Sequence, residues 1–459
     1  MHNKKLTLPP MGSKAQGIYE ARVLEPDWLP SYRRKAFEMA NLSGEYDGRC
    51  QSYMRLTETD KQAHDRVLSG MVAKRLRLEK RRGKNSILRS AKVVSTTGPR
   101  NNLILDQGLN KMLRSSGTIN WATWSTYCAA GVGTTATFTD SGATTATTSG
   151  SSTTVTASGS FFTAAMVGQL IRFDSGEERY IASQSGTACV VTVAVNIAAP
   201  TLFCVWAVNQ TGLASESKRS NTYLTGAGNC GSSVTGNVWS GKRTYDFSVE
   251  VGNVNYTELG WSDLSAAASN LNSRTLISGG TVSVLIGQQL RVIYTIAVTV
   301  TPNASTPGTY SITGWPIAPA TTTDGDYMVC NMVSGTGMAN INTNGGSVGN
   351  GDFPTSRISN AELRLTTGSA LPSFGSSYSA GSTAAANTNA FLSYTDQNFY
   401  LDAQGIFNLA TGNATNWRGV YFASNDGFVF VFDEAQTKAA THTLTIRARM
   451  TVGRTLVNP

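Results

Sequence analysis

Charge is scarce in this sequence. Asp, Glu, Lys and Arg make up 15% of the 459 residues, against about a quarter in an ordinary globular domain. Histidine is scarcer: His2, His64 and His442 are the only three. They sit in a terminal tail, on a basic helix and at the start of a strand, so they are not expected to meet. A histidine triad or histidine metal site therefore has little support. No apolar run approaches 18 residues, which excludes a transmembrane helix. The opening MHNKKLTLPPMGSK is basic but lacks the apolar core of a signal peptide, so synthesis in the cytoplasm without export is expected. The cysteines, Cys50, Cys128, Cys189, Cys204, Cys230 and Cys330, form no C-x-x-C pair and no metal-ligand spacing. They read as free, mostly buried thiols of a chain folded in a reducing compartment.

Acid–base chemistry is equally thin. Asp174, Glu177 and Glu178 share the stretch FDSGEERY, Asp324 and Asp326 lie in TTDGDY, and Asp433 and Glu434 in FDEAQ. Each reads first as a solvated turn, and only paired across a cleft would any two serve a glycosidase. DGD lacks the other ligands of a calcium loop, and GTGMANINTNGGSVGNG lacks the phosphate-loop lysine. No catalytic residue, cofactor site or metal site is predicted.

What is present is β patterning. From Leu290 to Val300 every second residue is apolar: Leu290, Val292, Tyr294, Ile296, Val298, Val300. This is a long strand with one buried face. Tyr245, Phe247, Val249 and Val251 alternate in the same way, as do Leu444, Ile446, Ala448, Met450 and Val452, and FVFVF at 428–432 runs up to Asp433. Together they predict a largely antiparallel sheet or sandwich. Asn101–Met112 reads as a short buried helix, Tyr127 onward as a strand with a glycine turn, and Thr134–Thr156 as loop or linker. Five short strand-like segments follow between Val155 and Val208, spaced by turn signals, and predict a small sheet or half-open barrel. Asn209–Asn229 reads as loop, and the region from Pro302 to about Ala385 as long polar connections.

The charge that exists is unevenly placed. Residues 1–100 hold 21 Lys and Arg against 10 acids; the rest holds 17 against 19. Residues 1 to about 56 look polar and irregular, with too few apolar residues for a core of their own, and are expected to lie on another subunit. A short helix after Pro30 would expose Arg33, Arg34 and Lys35. Thr59–Gly83 is the clearest helix: Thr59 and Gln62 fit a capping box, Ala63, Val67, Met71 and Leu68, Val72, Leu76 form an apolar face, and Gly83 suits the C-terminal cap. Its end, KRLRLEKRR, is a solvated face that suits the helix dipole, a surface for an acidic protein, or a nucleic-acid contact. No aromatics are interleaved with these charges, which argues against single-strand binding. The candidate docking residues are Trp28, Tyr32, Arg33, Arg34, Lys74, Arg75, Arg77, Lys80, Arg81 and Arg82.

Three stretches carry a resemblance: NNLILDQGLNKM with YCAAGVGTT; NYTELGWSDL with NSRTLIS and IGQQLRVIYTI; and FDEAQTKAATHTLTIRARMTVGR. In this order they resemble tail-associated structural proteins of tailed bacteriophages, the tail-fibre and tail-tip type. In such proteins the glycine turn leads almost directly to a LASESKRS-like region; here Ala136–Trp206 intervenes, similar to the small β modules of phage fibres and spikes. The implied fold is mainly β: an antiparallel, sandwich-like body (101–135 and 207–459), an inserted small β module (136–206) and a basic, extended and helical N-terminal arm (1–100). The implied role is a non-enzymatic virion component, in tail, neck or fibre, present in several copies and docked by its arm to other virion proteins. Alternatives are a receptor-binding fibre gripping a host glycan or protein, for which Trp315, Trp417 and Tyr421 are the candidate contacts, and a virion-bound polysaccharide depolymerase.

Overall fold

The computed structural model describes residues 2–7, 11–81, 91–113, 121–225, 228–235, 238–266, 270–277, 279–301, 312–313, 329–333, 362–368, 381–391, 395, 398–423 and 427–456. The protein is mainly β. The long alternating stretch is the strand Gln289–Thr301, and Leu290, Val292, Tyr294, Ile296 and Val298 on its inner face are fully buried. One flank pairs antiparallel with Val238–Asp246. The alternation read from Tyr245 to Val251 belongs to this strand only up to Asp246, which forms an ion pair with Arg291 at the end of the register. Beyond it Phe247 and Val249 are buried but Val251 is exposed.

The other flank is occupied by Met11–Pro26, in register from Gly12 opposite Thr301 to Leu24 opposite Gln289. This corrects the picture of an irregular N-terminal arm lying on another subunit: its first part is an interior strand of its own chain. The inward positions are Ser13, Ala15, Gly17, Tyr19, Ala21 and Val23. The period of two is there, but small residues mute it, because they face large ones: Ala15 opposes Val298, Gly17 opposes Ile296 and Ala21 opposes Val292. At Gly17 a Cβ would come within 2.6 Å of Asn102 Oδ1 and 2.8 Å of Tyr294 Oη, so any larger residue would have to push these side chains aside.

The chain ends meet in the same sheet. His442–Arg454 runs parallel to His2–Thr7 and to Met11–Ala15, whereas every other pairing described in this sheet is antiparallel. The parallel register sets His2 opposite His442, so two of the three histidines are backbone neighbours after all. The segment read as one helix from Asn101 divides into a strand, Arg100–Ile104, and a helix, Asp106–Leu113. The strand bonds both Met11–Pro26 and Leu271–Leu276, and those ladder bonds override the helical reading.

A five-stranded sheet contains Gly427–Lys438. This strand runs through Asp433 and Glu434, so they are not turn acids. Leu363, Leu365, Trp417 and Val420 of this sheet share one core with Leu401, Phe407, Leu444 and Ile446 of the wide sheet, which makes the body sandwich-like. Aromatics fill its middle: Trp261 stacks on Tyr294 at 4.0 Å, and Trp121, Trp124 and Trp239 surround them.

Between Phe138 and Trp206, six strands close into a barrel: Phe138–Thr147, Ser151–Ala157, Leu170–Phe173, Glu178–Ser185, Ala188–Asn196 and Thr201–Trp206. The first two were read as linker. Their Thr residues are strand formers and none is buried, while the buried Ser141, Ala146, Val155 and Ala157 are too few and small to show as a hydrophobic run. Phe162, Ile171, Phe173, Ile181, Phe203 and Val205 fill the interior. Of the cysteines, Cys50, Cys128, Cys189, Cys204 and Cys230 are free, and Cys128, Cys189 and Cys204 are buried.

Candidate functional site

The helix Glu58–Arg81 packs through His64, Leu68 and Val72 onto Leu29–Met39 and onto Val249 and Ile286 of the body. Its cap is Thr57, two residues before the expected one: Thr57 Oγ1 accepts the Asp60 backbone N–H at 3.2 Å and donates to Asp60 Oδ2 at 2.7 Å. His64 is fully buried between Tyr46 and Tyr53, with one ring nitrogen 3.1 Å from Asp65 Oδ1 and the other 3.1 Å from the Arg33 carbonyl. Ser69 Oγ donates to the Val251 carbonyl, and Asn253 Nδ2 donates to Asp65 Oδ2. The helix is thus fastened along its inner face.

The predicted docking residues divide into two groups. Four hold the helix pair together. The Arg75 guanidinium lies 4.5 Å from the Trp28 ring and 5.5 Å from that of Tyr32, a cation–π clamp, and it bonds Glu79. Arg33, expected to be exposed, is 1% exposed and donates to Glu25 at 2.7 Å. It is buried because it follows Tyr32 on the face turned toward the body, where Glu25 waits at the end of the interior strand. The second group points outward: Arg34, which donates to the Asp47 carbonyl, and Lys74, Arg77, Lys80 and Arg81, all exposed. Arg82 and Gly83 lie outside the described residues.

Helical spacing adds one residue that the sequence reading passed over. Exposed Arg66 lies on the same side as Gly70, Lys74, Arg77 and Arg81, steps of four, four, three and four residues, opposite buried His64, Leu68 and Val72. The stripe spans roughly 22 Å at about 1.5 Å per residue. None of Arg66, Lys74, Arg77, Lys80 and Arg81 forms an ion pair among the described residues. The helix acids Glu58, Asp60, Asp65 and Glu79 lie to its sides or inward. Charge sorted this way makes one side of the helix basic along its length.

Of the candidate receptor contacts, two lie among the described residues. Trp417 is buried and donates to the Gly412 carbonyl at 2.7 Å. Tyr421 sits in the strand Ala414–Ala423, paired with Arg364 and Val429, and Trp315 lies outside the described residues. The turn acids Asp174 and Glu178 are exposed, and Glu177 is held below its usual range by a hydrogen bond from Ser175. Asp324 and Asp326 lie outside the described residues.

Two buried ionic clusters hold the barrel to the body. At its root, Arg274 donates to Glu258 Oε2 through Nη2 at 2.7 Å, to the Thr135 carbonyl at 2.8 Å, and to Gln210 Oε1. Glu258 also accepts the backbone N–H groups of Gly133, Ala214 and Ser215 at 2.8–3.0 Å. Both side chains are at most 1% exposed. Burial pushes the Glu258 carboxyl up, but the N–H of Ser215, the Arg274 side chain and the N–H of Ala214 outweigh it and hold it below its ordinary value of 4.5. One pair therefore clasps the outgoing segment 131–135 and the returning segment 210–215; the stretch Asn209–Asn229, expected to be loop, contains the strand Glu216–Ser220 just beyond the clasp. Beside it, Asp106 accepts from Tyr180 of the barrel at 2.7 Å and from Arg454 of the last strand.

Next to Asp106 opens a polar cleft of about 420 Å³. Its walls are the helix Asp106–Leu113, residues 208–211, and Asp263, Leu264 and Asn270. Lys111 Nζ donates to Asp263 Oδ1 at 2.5 Å, and Gln107 donates to Asn270 at 2.7 Å. The three stretches that carry the phage resemblance converge here, through Asp106 and Lys111, Asp263, and Arg454. Among the described residues no group of three or more His, Cys, Asp or Glu is placed to hold a metal ion. No protein family, curated protein or solved structure matches the chain.

Proposed function

We propose that this chain is a non-enzymatic structural component of a tailed-phage virion, in tail, neck or fibre, assembled in several copies and docked by its N-terminal region to an acidic surface of a neighbouring virion protein. The observation that carries the docking is the outward stripe of Arg66, Lys74, Arg77 and Arg81 on a helix whose other side is fixed to the body. A surface of this kind steers and orients an anionic partner, while its inner contacts keep it rigid. The phage assignment is supported by the three resembling stretches, which supply central strands and the ionic contacts between them. Several ionisable groups buried in the body engage one another, as Glu258 does Arg274 and Asp106 does Arg454, which suits a scaffold.

The test is Lys74→Glu/Arg77→Glu/Arg81→Glu in a phage that encodes this chain, read by the amount of the protein in purified particles. Loss of incorporation with an unchanged melting temperature is the expected result. Normal incorporation of the triple variant removes the stripe from the docking role, and absence of the unaltered chain from particles removes the virion role altogether.

A further inference from the structure

We infer that the strand Cys230–Thr235 pairs antiparallel with the same strand of a second copy of this chain, across a two-fold axis at Ser232. The main run of strands in the wide sheet ends at Glu216–Ser220 on one side and at Cys230–Thr235 on the other. An open strand edge is a template for another chain, and folded proteins blunt it with charge or a break in register. The first end is blunted in both ways: it carries Glu216, Lys218 and Arg219, and its register shifts between Glu216 and Lys218. The second end is not. Its sequence, CGSSVT, has no charged residue and no proline, and it follows Val238–Arg243 without a shift. Among the described residues no strand pairs with its outer side, and a Cβ built on Gly231 would meet nothing within 4 Å.

The backbone settles which groups are free. One flank of Val238–Asp246 is taken by Gln289–Thr301. On the other, Thr244 accepts from the Leu224 N–H and Asp246 donates to the Thr222 carbonyl. Even-numbered residues therefore bond on that flank, which makes Thr235, Ser233 and Gly231 the bonded partners of Val238, Ser240 and Lys242. Cys230, Ser232 and Val234 direct their backbone N–H and C=O groups outward. With Ser232 opposite its own counterpart, Cys230 of each copy meets Val234 of the other, and all three positions join one ladder of about six hydrogen bonds. The same register sets Gly231 of each copy opposite Ser233 of the other, so the open space over the glycine receives a side chain. No like charges meet. The two copies of Lys242 lie on strands three spacings apart, roughly 14 Å, beyond the screening length of about 8 Å at physiological salt. An edge that matches itself, and carries no charge to select a different chain, makes an isologous contact that closes a dimer. This supplies one contact of the assembly in several copies proposed above and rests on that reading; mass in solution tests the pairing, whereas incorporation into particles tests the virion role.

The experiment is sedimentation of the purified full chain over a concentration series. A dimer, or an even multiple of the chain, is expected. Ser232→Pro removes the outward N–H at the axis, and Ser232→Lys sets two cations against each other. Each should raise the dissociation constant of the dimer roughly tenfold or more, with a melting curve to show that the variant is folded, while Lys74→Glu/Arg77→Glu/Arg81→Glu should leave it unchanged. Cys230→Ser/Ser232→Cys should form a disulfide between chains on mild oxidation, because Cα atoms of a bonded antiparallel pair lie about 5.5 Å apart, within disulfide range. Should both single variants unfold, this cross-link decides alone. A monomer at every concentration overturns the inference, as do folded Ser232 variants that associate like the unaltered chain, or the absence of the cross-link.

Discussion

Inside the barrel, every strand finds its partners between Phe138 and Trp206, the sheet closes without edges, and the interior holds apolar side chains. The wide sheet does the opposite. It joins Gly12–Leu24 to Gln289–Thr301 and Met11–Ala15 to Met450–Arg454, and it encloses Asp106, Arg243, Asp246, Glu258, Arg274 and Arg454. Local closure needs little specification beyond size and period. Pairing between distant segments must be put in register, and directional ion pairs and hydrogen bonds at fixed positions do that. The barrel is thus predicted to form early and independently, and the sheet to form last, when both ends of the chain are present.

The largest effect that would break this contrast is deletion of residues 2–26. The central strand loses one complete flank, so amide protection across 289–301 is expected to vanish while protection across 138–206 persists in hydrogen exchange. A cooperative melt at the full-length temperature would show instead that the first segment is a dispensable arm. Next in size is Arg274→Ala, which leaves Glu258 buried and unpaired. The expected cost is about 3–5 kcal/mol, measured by denaturant unfolding, with exchange rising first in 131–135 and 210–215. A change below about 1 kcal/mol would mean that the three backbone N–H groups suffice to hold the carboxylate. Phe203→Ala, in the barrel core against Phe161, Phe162 and Phe173, is expected to cost about 3 kcal/mol. Its loss of protection should stop at the barrel; spread into 289–301 would show that the two units fold as one.

The same contrast explains what the sequence made legible. Large apolar residues at period two, as in Leu290–Val298, announce a strand by themselves. Strands made of their complements do not: Ala15, Gly17 and Ala21 exist to fit against Val298, Ile296 and Val292, and their meaning appears only once the partner is known. The threonine-rich barrel strands were hidden for a related reason, since their outward faces dominate the composition. At the candidate site, the cations of the long helix could be read directly, and helical spacing would have added Arg66. The burial of Arg33 depends on Glu25, and the cleft depends on Asp106, Lys111, Asp263 and Arg454, which lie up to 348 positions apart. No local pattern connects them.

The smallest expected effect concerns acid, and it also separates the two regions. Glu258 titrates below its ordinary value of 4.5 in the folded protein. Its contribution to stability is therefore complete above pH 4.5 and is lost as the pH falls through its depressed folded value, because the unfolded chain takes up the proton first. The sloping part of the stability curve of the body should lie below pH 4.5, with at most roughly 1.4 kcal/mol per pH unit from this one group. Glu258→Gln should remove that part of the slope while lowering stability at neutral pH, since the amide no longer attracts Arg274. The barrel core contains no ionised side chain, so its protection should change little between the two proteins over the same range. A slope below pH 4.5 that is unaltered by Glu258→Gln would assign the acid sensitivity to the surface carboxylates and leave the clasp at the root of the barrel without a role in it.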